Sequence, residues 1–413
     1  LQDKATDTRR LGRTALGVLA ACFALNMLGR GMGDTYAVFL LPLEREYGWA
    51  RSQLTSVYSV YLLVNGFVAP LVGLLFDRAG PRWVYATGLV CLGGAFVFAG
   101  SLASLWQFYL LIGVMVGIGV SMTGMVPASA LLSRWFRTRL SRAIGIAFSA
   151  TGLGMVAFVP LAQFLVDQYE WRNAYRALGA LLLAAAPLAV LFLPWRTYSA
   201  GHPALGAEAG RKAAAGEGWS LRGALRTRIY WGMAQAFFCT ATAMFAILVQ
   251  IVAFLIDAGF SPLAAATAYG FTGMLSALSV MGSGFLAERF GYRQTVSASF
   301  AGTALGMALL MVLAGYPSTL LLVAFVLSFG LCMGVRGPII SSICARHFAG
   351  AQVATIYGTI YAMNALGAAF GSLMGGVLHD LTGGYRTGLA FSLLAIALAA
   401  APFWTVPALR NFR

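Results

Sequence analysis

The sequence predicts an all-α integral membrane protein with twelve transmembrane helices in two pseudo-symmetric six-helix halves. Three observations predict it. Sixty per cent of the 413 residues are hydrophobic and 10% are charged, against about 25% charged residues in soluble domains. Apolar runs repeatedly reach the ~20 residues a helix needs to cross a bilayer. A polar stretch following the second run recurs after the eighth. Lipid cannot hydrogen-bond an open strand edge, so the runs are read as helices.

In chain order, helix 1 spans 14–41 and holds GRGMGDTY inside ALGVLAACFALNML…AVFLLPL. Helix 2 (54–76) leads into GLLFDRAGPRW, and helices 3 (83–103) and 4 (105–133) follow. Helix 5 (142–165) carries GLGMVAFVP, and helix 6 (174–194) ends the first set. Residues 195–228 form the only long polar segment, whose Gly, Ala, Ser and Arg content reads as a linker with a short surface helix near 219–227. Helices 7 (229–256), 8 (262–287), 9 (295–315), 10 (318–344), 11 (353–377) and 12 (386–409) make the second set. The domains are therefore 1–194, 195–228 and 229–413. The first apolar segment is too long for a signal peptide and lacks a small-residue cleavage pattern, so no processing is expected.

Placement of charge orients the chain. With the N-terminus in the cytoplasm, inside segments hold 21 of the 28 Lys and Arg residues. Outside loops hold five: Arg45, Arg51, Arg172, Arg176 and Arg386. Both halves obey the positive-inside rule, which puts both termini in the cytoplasm of a bacterial-type inner membrane. The net charge of +15 thus lies in short loops facing a bilayer, and nucleic acid is excluded as a partner. Five cysteines (Cys22, Cys91, Cys239, Cys332, Cys344) sit in apolar runs at no metal-ligand spacing and read as packing residues. The three histidines are scattered in loops, and HExxH, GxSxG and CxxC are absent. No catalytic centre, metal or cofactor is expected.

GLLFDRAGPRW (73–83) and GFLAERFGYRQ (284–294) share Gly, an acid, Arg, Gly and Arg at the same spacing, 211 residues apart. Each packs a small residue against a neighbour and then makes a tight cytoplasmic turn. Such duplication in a membrane protein points to a transporter. On these residues the chain resembles the major facilitator superfamily, whose G-x-L-x-D-R-x-G-R signature the first stretch matches and the second repeats weakly. GLGMVAFVP is similar to a Gly/Pro-rich motif of many members. The resemblance implies a conformational latch at Gly73, Asp77, Arg78 and Arg82, with Glu288 and Arg289 in the second copy. Asp77, Arg78 and Arg82 would stabilise the outward-open state. It also implies a monomer.

More narrowly, helix 1 running into FLLPLEREYGWARSQLTSVYSVY, and FLIDAGFSPLAAA at the outer end of helix 7, resemble the branch of monocarboxylate porters and oxalate–formate exchangers. That branch implies small organic anions as cargo. Two departures stand out. The carboxylate-binding arginine common in helix 8 of that branch is missing from AYGFTGMLSALSVMGSGF. The helix 4 arginine of drug–proton antiporters is replaced by Gly113.

Three charges remain inside spans: Arg30 and Asp34 in helix 1 and Arg336 in helix 10. A charge at the bilayer centre costs ~2.5–3.5 kcal/mol on insertion scales. Asn26, Arg30 and Asp34 share a helical face turned to the bundle interior. They read either as a self-contained salt bridge or as a substrate and coupling site; apolar replacements would serve stability as well, which favours the second. Arg336, in MGVRGPIISS, has no acid within four residues, and a kink is expected at Gly337–Pro338. It either faces the central cavity as a two-toothed carboxylate ligand or lies low enough to reach the cytoplasmic surface.

On the first reading, one arginine from each half meets the other at the seam and the cavity is net positive. Polar stripes add Tyr58, Tyr61 and Asn65 on helix 2, Gln235, Cys239, Thr242 and Gln250 on helix 7, and Tyr357, Tyr361 and Asn364 on helix 11. Each is a candidate liner or a polar link between helices. The expected substrate contacts are Arg30, Arg336, Tyr61, Gln250, Tyr361 and Asn364. Asp34 is the candidate for proton coupling: held ionised beside Arg30, it gains a proton when an anion takes the arginine. The function expected is secondary transport of a small carboxylate by rocker-switch alternating access, proton-coupled or exchanging. A neutral-solute or drug exporter and a membrane sensor are the alternatives.

Overall fold

The computed structural model of the protein describes residues 2–136, 140–201, 219–348 and 353–410. Residues 202–218 of the expected linker lie outside the described residues, as do Arg137, Arg139 and Arg413. Among the described residues, ten helical segments are long and apolar enough to cross a membrane. Two of them, Arg51–Ala99 and Arg142–Phe192, contain 49 and 51 residues. At 1.5 Å per residue each measures roughly 75 Å, over twice the ~30 Å hydrocarbon core. Each is interrupted once, at Gly80 (φ 79°, ψ 167°) and at Glu170 (φ 65°, ψ 159°). They are therefore the pairs of helices 2–3 and 5–6, and the ten segments make twelve crossings. The others are helix 1 (Gly12–Tyr47), 4 (Leu105–Ser133), 7 (Arg228–Leu248, extended by Ile251–Asp257), 8 (Pro262–Phe290) and 9 (Tyr292–Leu313). Helices 10 (Thr319–His347), 11 (Thr355–Thr382) and 12 (Arg386–Thr405) complete them. The expected surface helix is Leu221–Leu225, capped by Ser220.

The duplicated motif has a backbone reason. Its second glycine, Gly80 in the 2–3 turn, recurs as Gly291 in the 8–9 turn with φ 86° and ψ 152°. This region is open essentially to glycine alone, at about 1–3 kcal/mol for other residues. The 5–6 and 11–12 turns also carry a positive φ, at Glu170 (65°) and Gly383 (67°). All four equivalent hairpins thus reverse on one such residue. Glu170 is the single non-glycine among the described residues to do so.

Several spans break midway. Helix 1 stops at Gly33, turns through Asp34–Thr35 and resumes at Tyr36. The run Gly29-Arg30-Gly31-Met32-Gly33 weakens the helix there by about 1 kcal/mol per glycine. In exchange it admits Thr123, Gly154 and Tyr61, from helices 4, 5 and 2, to close approach. Helix 10 breaks at Gly334–Val335, not at the expected Gly337–Pro338. Pro338 then falls in the first turn of the resumed helix, where its missing N–H removes no hydrogen bond.

The two halves meet closely on the side opposite the linker, here the far side. Helix 2 begins there at Arg51, and Asp380 at the end of helix 11 caps it from the other half. Arg51 N and Ser52 N donate to its two carboxylate oxygens at 3.0 and 2.8 Å. The Arg51 guanidinium, 3% exposed, forms an ion pair with Glu44 at 2.6 Å and donates to the Tyr385 hydroxyl at 2.9 Å. Tyr385 in turn donates to Asp257 at 2.7 Å. Deeper, Ser59 donates to Ala369 O and Ser372 to Thr55 O, again across the seam. A side chain at Gly376 would strike Ser52 Cα at 2.8 Å and Arg51 O at 2.9 Å. Helices 2 and 11 therefore touch backbone to backbone.

Two outcomes are expected. Gly80→Ala and Gly291→Ala each destabilise by about 1–3 kcal/mol, while Glu170→Gly is neutral or stabilising, read by thermal unfolding in detergent. Asp380→Ala or Arg51→Ala opens the far side. In a cysteine-free background, impermeant maleimide labels Ser59→Cys at least about ten-fold faster, the loss of a charge-assisted hydrogen bond being about 1.5–3 kcal/mol.

Candidate functional site

A cavity of about 700 Å³ lies between the halves. Its walls come from helices 1, 2, 4 and 5 on one side and 7, 8, 10 and 11 on the other. On helices 2, 4, 5 and 11 the wall residues run from mid-span toward the linker side, and on helices 1, 7 and 8 they reach past mid-span toward the far side. Asp34, Leu248 and Tyr269 form its deepest level, under the far-side seal. The cavity is thus closed on the far side and opens toward the linker side.

The stripe Asn26–Arg30–Asp34 lines this cavity. Asn26 is committed structurally, donating to Ala147 O at 2.7 Å. Arg30 Nε meets Asp34 Oδ2 at 3.5 Å, and the guanidinium lies 5.9 Å from the Tyr61 ring centre. Arg30 keeps 24% of its side chain exposed, into the cavity, while Asp34 is 5% exposed. Among the described residues neither Nη atom of Arg30 donates a hydrogen bond to protein. The other Asp34 oxygen accepts from the Tyr58 hydroxyl at 3.1 Å. One acid therefore holds one edge of the arginine and leaves the rest of the fork facing open space, a geometry suited to receiving a carboxylate.

Arg336 is elsewhere, which corrects the two-arginine expectation. It is 1% exposed and is not part of the cavity wall. Its guanidinium turns to helix 9, donating to Thr303 Oγ1 and to Cys332 O, and sits 4.8 Å over the Phe300 ring. The break at Gly334–Val335 ends the upper segment of helix 10, so Arg336 opens a new segment whose face is set by packing in its own half. It reaches neither the seam nor the surface. The cavity carries one arginine and one aspartate, and its formal charge is zero rather than positive.

The remaining candidates divide. Tyr361 lines the cavity, half exposed, as does Asn65. Tyr61 does not; it is buried behind Arg30. Gln250 is buried at the break of helix 7, where its amide donates to Ala246 O. Asn364 is half-buried on helix 11 away from the wall. Gln235 and Thr242 join helices 7–12 and 7–11 through Leu398 O and Gly367 O. Of the latch residues, Gly73 lines the cavity mouth and Asp77 pairs at 3.8 Å with Arg134 of its own half while 74% exposed. So exposed a pair contributes little. Arg82 and Arg289 lie over Trp83 and Phe290, their sequence neighbours.

Sequence reasoning missed Tyr269. It lines the cavity from helix 8, within electrostatic reach of both Arg30 and Asp34. A tyrosine in an apolar span gives no signal of where it points. The Arg51–Asp380–Tyr385–Asp257 cluster was missed as well, because Arg51 read as an outside-loop charge and Asp257 as the outer end of helix 7, with nothing in the sequence to join them.

A sequence profile of the Major Facilitator Superfamily matches residues 19–287 and 276–411. Monocarboxylate transporter 13 of Bos taurus is 27% identical over 371 residues, 89% of this chain and 83% of that protein. Monocarboxylate transporter 11 of Homo sapiens is 26% identical, covering 91% and 79%. The uncharacterized MFS-type transporter YcxA of Bacillus subtilis (strain 168) is 25% identical, covering 92% and 91%. Among solved structures, a bacterial homolog of the human lysosomal transporter Spinster, inward-facing and occupied, superposes with a TM-score of 0.70 at 15% identity over 96% of this chain and 97% of that one. With its twelve crossings and duplicated turns, the chain belongs to the major facilitator superfamily and is a multi-pass membrane transporter, not an enzyme.

Proposed function

We propose that the protein carries one organic monoanion together with one proton across a bacterial-type inner membrane, its halves 1–194 and 229–413 rocking about the cavity. The observation that carries the reading is the half-satisfied Arg30 beside Asp34 at the deepest level of a cavity with no other ionised side chain on its described wall. The names of the monocarboxylate transporter relatives support the choice of cargo.

Charge decides the mechanism. Empty, the Arg30–Asp34 pair is neutral. A monoanion that takes the Nη edge of Arg30 leaves two carboxylates on one cation, a net buried negative charge that costs several kcal/mol. Protonation of Asp34 removes that cost, so anion and proton bind together and the loaded cavity is neutral again. Either neutral form can pass through the occluded state; the half-loaded forms cannot. A dicarboxylate leaves a second carboxylate without a cation.

With the positive-inside bias, the linker side faces the cytoplasm and the conformation described is inward-open. The exposure of Asp77 fits a latch released in this state and engaged when the cytoplasmic ends close. A monomer holds the whole cavity.

Arg30→Ala is expected to weaken binding of anions by about 10- to 100-fold, one charge-assisted contact being about 1.5–3 kcal/mol. Arg336→Gln is expected to leave affinity within two-fold; both are read by calorimetry in nanodiscs. Anion affinity strengthens as pH falls, by up to about ten-fold per unit for one linked proton. Asp34→Asn abolishes accumulation driven by a pH gradient in proteoliposomes and spares counterflow; pH-driven uptake at the wild-type rate would refute the coupling. Equal stabilisation of wild type and Arg30→Ala by neutral solutes or lipophilic cations would favour a neutral-solute or drug exporter.

A further inference from the structure

We infer that the cargo is a monocarboxylate with a bulky apolar body, aryl or alkyl, and that acids of two or three carbons are poor ligands. The inference rests on the anion reading above and narrows its substrate class. Arg30 and Asp34 are the only ionised side chains on the described wall, and both belong to helix 1. The rest of the wall is mostly apolar, with Phe148 and Met155 on helix 5, Phe245 and Leu248 on helix 7, Val280 on helix 8 and Met333 on helix 10, and its uncharged polar groups include Asn65, Ser121, Thr151 and Ser276.

Size points the same way. At about 30 Å³ per liquid water, a chamber of about 700 Å³ holds roughly twenty waters. A two-carbon acid anchored at Arg30 leaves most of the apolar wall wet. A body of six or more carbons displaces that water. Its apolar surface then meets wall residues contributed by both halves, helix 5 on one side and helices 7, 8 and 10 on the other. Met155 and Met333 present flexible, polarizable surfaces that adapt to bodies of different outline. Tyr269 and Tyr361, from the second half, line the same wall within electrostatic reach of Arg30.

Isothermal calorimetry on the full chain in nanodiscs, with empty nanodiscs subtracted, tests this against acetate, butyrate, hexanoate, phenylacetate, phenylacetamide, phenylalanine and succinate. Affinity is expected to rise about four-fold per methylene, so hexanoate binds about 200-fold tighter than acetate, phenylacetate binds in the same range as hexanoate, and succinate falls far below both. Phe245→Ser with Met333→Ser is expected to cost hexanoate about ten-fold and acetate less than two-fold. Equal affinities for acetate, butyrate and hexanoate in the wild type overturn the inference, whether or not the double variant folds. Failure of the underlying reading looks different: phenylacetamide matching phenylacetate removes the need for an anion. Phenylalanine binding tighter than phenylacetate makes Arg30–Asp34 a receptor for a zwitterion.

Discussion

A charge inside a bilayer must find its partners in the protein, and the three charges within the spans do so to different degrees, Arg336 leaving Nε and Nη1 without a hydrogen-bond partner among the described residues. Arg30 has an acid one helical turn away and open space beyond it. Asp34 has Arg30 on one oxygen and the Tyr58 hydroxyl on the other. Arg336 has no acid among the described residues; a threonine hydroxyl, a backbone carbonyl and the face of Phe300 hold it. A desolvated cation over an aromatic face gains about 2 kcal/mol, and a fully enclosed site has no room for cargo. The same residue type is thus part of a chamber in one half and part of the packing in the other.

Neutrality of the chamber then constrains what crosses. A cavity with two unpaired arginines would attract anions but would resist closing when empty, since like charges would face each other across a dry seam. A single arginine with its own aspartate closes empty at little electrostatic cost. On the function proposed above, binding restores the balance it disturbs, and a proton on Asp34 is the smallest correction. The three glycines around Arg30 contribute by letting helices 2, 4 and 5 pack close to this segment, which excludes solvent from the pair on all sides but one.

The far-side seal is built from contacts that can be exchanged. Asp380 satisfies two backbone N–H groups at the start of helix 2 and adds a negative charge at the positive end of that helix. In the proposed rocking motion water takes over both N–H groups and the carboxylate, because all of them lie at helix ends. Arg51 keeps Glu44 of its own half while it loses Tyr385 and Asp257 of the other. The seal is therefore strong enough to hold one state and cheap enough to break. The four positive-φ hairpins, at Gly80, Glu170, Gly291 and Gly383, join adjacent helices within each half by tight turns, and under the rocking motion proposed above each such pair would move as a unit.

By itself the sequence determined the spans, the duplication and the polar stripe of helix 1, because each is a property of neighbours along the chain. Apolar length reports a crossing. GLLFDRAGPRW and GFLAERFGYRQ report equal turns, and a spacing of four reports that Arg30 and Asp34 share a face. Only the tertiary structure decided which polar residues meet. Arg336 looked like the partner of Arg30 because nothing local neutralises it, yet its direction follows from a helix break two residues earlier and from Phe300 and Thr303, some thirty positions away. Tyr269 entered the chamber, and Asp380 reached Arg51, through contacts more than 200 residues apart in sequence. A one-dimensional pattern fixes the face of a helix on which a side chain lies. Which neighbour that face meets is set by how twelve helices pack together, and that choice separates a binding residue from a packed one.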